Sequence, residues 1–160
     1  MSTRSAALAE RIEQGAKELE EFGRGLSEAQ WCRVVPPDGR QVGVIIHHVA
    51  SVYPIEIQLA SEIAAGNAVK GVTWDVVAAM NCKHAQENAA CSKDATFELL
   101  RRNSDTAAEA VRAFTDEQLD RAAPFSLSAD APLTAQFVIE DHALRHSWHH
   151  LAKIKSALQA

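Results

Sequence analysis

The 160-residue chain contains seven histidines, and six of them fall in two places. His47 and His48 sit together, and His142, His146, His149 and His150 crowd the last twenty residues; His84 is the seventh. Neutral imidazole offers a lone pair, so histidines that converge from different helices suit a divalent transition metal. His146 and His150 are four residues apart. On a helix that spacing puts two imidazoles one turn apart on one flank, where they can share an ion. An H-x-x-x-H spacing is also a common accident, and a histidine-rich exposed face without a role is the ordinary alternative. A third histidine facing the same space separates the two.

Helical projection at about 100° per residue supplies one. In the segment after Gln41, Val44, Ile45, Val52, Ile55, Leu59 and Ile63 form an apolar arc with His48 near its middle. His47 falls outside it, beside Ser51, Gln58 and Ser61. In the last helix Phe137, Leu144, Leu151, Ile154 and Leu158 mark a buried stripe. His150 projects about 70° and His146 about 110° from its centre, a flank that can face a cavity. His142 and His149 project outward with Asp141, Arg145 and Lys153. The expected ligands are therefore His48, His146 and His150. For His48 a core histidine held by a hydrogen bond is the competing reading. Because imidazole must be neutral to ligate, metal affinity is expected to fall below about pH 6.

Three neutral ligands leave the ion's charge uncompensated, so an open fourth position favours hydroxide or thiolate. Hydroxide gives hydrolysis and calls for a nearby carboxylate to manage protons. Thiolate gives transfer or isomerisation. Glu56, two turns beyond His48, projects toward the edge of the arc. Glu140 projects onto the apolar side of the last helix, where a salt bridge to a neighbouring arginine is its ordinary fate. His84 aligns with Val77, Met80, Asn81 and Asn88, either lining a pocket or satisfied in the interior. Trp74 and Trp148 read as core or interface aromatics. No phosphate loop or nucleophile elbow is present.

The elements that must position these residues are helices. Apolar spacing predicts a helix over about 5–22, closed by Gly23 and Gly25. Capping boxes at Ser27–Gln30 and Thr115–Gln118 open two short helices. A long helix spans about 41–65, with Pro54 inside it as an expected kink. Further helices cover 74–88 and 94–114, the second continuing the first after a break. Pro124 to Pro132 reads as a loop, and Thr134 caps a last helix to Leu158. The fold class expected is all-α: one four-helix bundle domain over 1–160, with short connecting helices. A net charge of −5 and the lack of a basic face argue against nucleic acid. The apolar stretches are short and interrupted, so no segment is expected to span a membrane, and the first twenty residues lack a signal peptide's apolar core. Cys32, Cys82 and Cys91 form no C-x-x-C pair and read as reduced thiols in a cytoplasmic protein.

The segment from Ile46 to Ala50 resembles the first histidine segment of the DinB-like metalloenzyme family, and His146 to Ile154 resembles its terminal H-x-x-x-H segment. Thr73-Trp74-Asp75, Met80 to Ala85, and Leu99-Leu100-Arg101 with Leu119-Asp120 resemble the middle of many members. The resemblance covers nearly the whole chain, carried by the order and spacing of short motifs. It implies a four-helix bundle, a homodimer, and an open metal site on His48, His146 and His150, the set the projection selects. Where many members have H-R-G-Q, this chain has His150-Leu151-Ala152-Lys153, a departure that touches substrate contacts and leaves the ligands intact. Related thiol-dependent transferases and isomerases place a small-molecule substrate and a metal-activated low-molecular-weight thiol ahead of a metal-dependent hydrolase. A non-catalytic metal-binding homo-oligomer is the other class. The cofactor expected is a divalent ion, zinc or nickel, although imidazole suits copper and iron as well.

Overall fold

Most of the helices begin where a hydroxyl side chain can take up free backbone N–H groups; the long α3 (Val42–Ala65), which starts after Gln41, has no such cap. In the computed structural model, which describes residues 2–159, Ser2 caps α1 (Thr3–Arg24) and Thr73 caps α4 (Trp74–Glu87). Ser92 caps α5 (Lys93–Arg112), and Thr134 caps α7 (Ala135–Val138). Both expected capping boxes form, opening α2 (Glu28–Trp31) and α6 (Asp116–Asp120). α3 ends at Gly66, whose φ of 87° only glycine adopts without strain.

α3 is continuous through Pro54. The proline cannot bond the carbonyl one turn back, at Ala50. Asn103 of α5 donates its side-chain amide to that carbonyl at 2.8 Å, so the lost helical bond is replaced across the helix interface. α3 is long and apolar enough by length and composition to cross a bilayer, which corrects the sequence expectation, but 61% of that window is buried in the bundle. Ile45, Ile46, Tyr53, Ala60 and Ile63 are fully buried there, as a core helix requires.

The bundle consists of α1, α3, α5 and the C-terminal helical run, around Ile12, Leu19, Phe97, Leu100, Ile139 and Ile154. Gly15 lets α1 approach α8 (Arg145–Gln159): a Cβ there would sit 2.9 Å from the Trp148 indole nitrogen. α4 does not belong to the bundle. The sequence suggests that it leads into α5, yet none of its residues is buried.

Two further departures bear on the site. The 124–132 loop is a hairpin of β1 (Ala122–Phe125) and β2 (Ala131–Thr134), paired antiparallel with Pro124 opposite Pro132. Prolines argue against a strand only where an N–H must bond, and a two-stranded ribbon has free edges. The last helix is also not regular. Between α7 and α8, Ile139–Leu144 is a π-helix, whose wider turn inserts residues relative to an α-helix. The phase upstream of it shifts. Val138 is buried and Phe137 is 48% exposed, reversing the projected stripe.

Candidate metal centre

His48 arrives on α3, and His146 and His150 on α8, one turn apart. Their rings meet with centroids 5.0 Å (His48 and His146), 5.6 Å (His48 and His150) and 4.8 Å (His146 and His150) apart. One ring nitrogen from each lies within 4.8 Å of the others. No other set of three such side chains converges in this way among the described residues.

Burial favours the neutral, ligating form. Desolvation pushes His48 down to about 3, with the neighbouring His146 adding to it. Desolvation likewise pushes His150 to about 2. The His150 Nδ1 is buried without a hydrogen-bond partner. Imidazoles packed together with such an orphaned atom are expensive as a plain core and fit a bound cation.

His146 is oriented by Glu56, which lies on α3 two turns beyond His48. The His146 Nδ1–H donates to Glu56 Oε1 at 2.6 Å, and the carboxylate is buried. With its proton on Nδ1, the ring presents the lone pair of Nε2. The sequence places Glu56 two turns along from His48, but only the approach of α8 reveals the pair. Glu56→Gln is expected to weaken metal binding roughly 10- to 100-fold, the usual cost of losing a ligand's carboxylate partner. Competition with a chromophoric chelator measures it, and unchanged affinity would refute the orienting role.

The other candidates separate clearly. Glu140 pairs with Arg11 of α1 at 3.3 Å, away from the centre. His84 does not line the cavity; it bonds His47 (2.9 Å) and stands edge-on to His48, with centroids 5.5 Å apart. His142, expected outside, instead lines the cavity, because the π-turn rotates it inward. Its pKa is lowered by burial. His149 is exposed at the rim. The three cysteines are unpaired, and none lines the cavity.

The three histidines open onto a cavity of about 570 Å³. One wall is apolar, carried by α3, α4 and the hairpin. Charged side chains make up much of the remaining lining. Arg40 grips Asp38 through two bonds of 2.6 and 2.8 Å, which hold the Asp38 carboxyl below its usual range. Arg145 pairs with Asp141 at 3.0 Å. Val52, Ile55 and Leu59 belong to the apolar wall, and Trp74, expected in a core or interface, stands 68% exposed at the same cavity.

The model of the DinB superfamily matches residues 11–154. The chain belongs to the DinB superfamily. Among solved structures it is similar to YfiT from Bacillus subtilis, described as a probable metal-dependent hydrolase with an unusual four-helix bundle topology. The TM-score is 0.77 at 15% identity, over 99% of this chain and 89% of that one. At that identity the likeness speaks for the fold, and the histidine cluster stands on this chain's own geometry. No curated protein matches the sequence.

Proposed function

We propose that this DinB-superfamily chain is a metal-dependent enzyme that uses a low-molecular-weight thiol for transfer or isomerisation. The carrying observation is a three-imidazole cluster opening onto a cavity whose two aspartates are held by arginines and whose one glutamate, Glu56, gives an oxygen to His146 and keeps its Oε2 without a partner. Arg40 holds Asp38, and Arg145 holds Asp141. A divalent ion on His48, His146 and His150, zinc or nickel, would supply a Lewis acid that favours the ionised form of a thiol or water. Thiol chemistry asks less of the surrounding protein, since a thiol already ionises near pH 8–9 and no separate base is needed. The cavity side chains then position the acceptor and keep bulk water away.

Metal-dependent hydrolysis is the second reading, favoured by the description of YfiT. It would require one of the cavity carboxylates, or His142 on the cavity wall, to move protons. A non-catalytic role leaves the cavity beside the ligands without a purpose. A homodimer in the cytoplasm is the assembly and setting we propose for it.

Cobalt-substituted protein distinguishes the readings. Adding glutathione, mycothiol or bacillithiol is expected to give a sulfur-to-metal charge-transfer band, and His150→Ala to abolish it. A spectrum unchanged in excess of all three thiols refutes the thiol reading and puts hydrolysis first.

A further inference from the structure

Among the described residues seven large apolar side chains are substantially exposed, and four of them, Ile55, Trp74, Val76 and Met80, line the same cavity as the three histidines. Apolar surface gathered on one concave wall marks a binding site rather than scattered surface residues. The same lining carries three cations and three carboxylates. Arg40 and Arg145 are each neutralised by an aspartate. Lys153, one turn past His150, also lines the cavity and has no ion-pair partner among the described residues. The cavity thus brings together the histidine cluster, an apolar surface and an exposed lysine that makes no ion pair within 4.0 Å among the described residues, although its charge reaches Asp38.

We propose that the substrate taken with the thiol is a small amphipathic anion: an apolar body against Trp74, Met80 and Ile55, and a single anionic group on Lys153. This rests on the enzymatic reading above and specifies its acceptor. A volume of about 570 Å³ suits a small molecule and excludes a folded polypeptide. The three cations and three carboxylates of the lining balance, so a divalent ion on the three histidines would give the cavity the positive charge that selects an anion over a cation of the same shape. The apolar wall selects a long-chain anion over a short one, because only the former removes that surface from water.

Octanoate serves as the probe, with acetate lacking the apolar body, octylamine reversing the charge, and titration calorimetry on zinc-loaded and on metal-free protein. Octanoate is expected to bind more tightly than either control. Lys153→Gln should weaken it roughly fivefold, the scale of an exposed ion pair. Trp74→Ala should weaken it about tenfold, the scale of a lost aromatic anchor. Both side chains are exposed, so both variants should fold and keep full zinc content, which elemental analysis checks. Quenching or a blue shift of tryptophan fluorescence on octanoate addition, lost in Trp74→Phe, places the body on that wall. Octylamine binding as tightly as octanoate, or affinity unchanged in both Lys153→Gln and Trp74→Ala, overturns the proposal. So does an absence of octanoate binding to either form. Octanoate binding without a thiol band on cobalt removes only the thiol reading; a thiol band without octanoate binding removes only this one.

Discussion

Substituting His150 with alanine is expected to strip the protein of its metal, and His48→Ala and His146→Ala to do the same. Each change removes one of three ligand nitrogens. The loss should exceed the ~10- to 100-fold that follows from losing only a ligand's hydrogen-bond partner. Elemental analysis of protein purified without a histidine tag should then find little metal after desalting. His142→Ala and His149→Ala are expected to stay loaded. For His149 the reason is its place at the rim. For His142 it is subtler: the ring faces the cavity, yet it lies outside the cluster whose nitrogens converge. Equal metal loss from His142→Ala and His150→Ala would show that the ligand set is wrong.

Acid should unfold the metal-free protein, and the same buried rings dictate the sign. In the unfolded chain His48 and His150 take up protons near 6.5. In the folded chain they resist until about 3 and about 2, mainly because burial disfavours the charged form. Between those limits the unfolded state binds more protons, so stability rises with pH there. The contribution of the two rings is complete above about pH 6.5 and is lost progressively as the pH falls toward 3. Each ring is worth at most ~1.4 kcal/mol per pH unit within that window. Against a typical total of ~5–15 kcal/mol, two such rings can unfold the domain within a few pH units. Urea midpoints of chelator-treated protein from pH 7 down to 4.5 test this, with His150→Leu expected to remove about half of the two-ring dependence. Midpoints that stay level across that range would contradict the burial of neutral imidazole. For these two rings in the folded protein, burial pushes the competition between proton and ion below the pH 6 expected from sequence.

The three converging histidines were legible in the sequence because α3 and α8 are regular helices where those residues sit, so a fixed angle per residue sorted inward from outward. The same arithmetic misplaced Phe137 and His142, which lie in or before the π-turn at Ile139–Leu144, where the angle per residue changes. Nothing in residue types announces such a turn, since it is fixed by how the helix packs. The Glu56–His146 bond was hidden for another reason. Its partners are ninety residues apart, and a carboxylate near the edge of an apolar arc gains meaning only when a second helix brings it an imidazole. The hairpin was hidden by its own prolines. The apolar arc of α3 was visible as one feature although it serves two purposes. Its upstream part, at Ile45, packs the core, while Val52 and Ile55 face the cavity.

α4 lends no residue to the core, yet it supplies Trp74, Val76, Val77 and Met80 to the cavity. The three converging histidines come from α3 and α8, both anchored in the bundle. Changes on α4 therefore meet almost no resistance from folding, whereas changes beside His48 or His150 must respect a packed interior. A lineage built on this scaffold can exchange one wall of its cavity freely while its reactive centre stays fixed. On the proposed function, selectivity would be free to drift while the chemistry stayed fixed, with both housed in a single cavity.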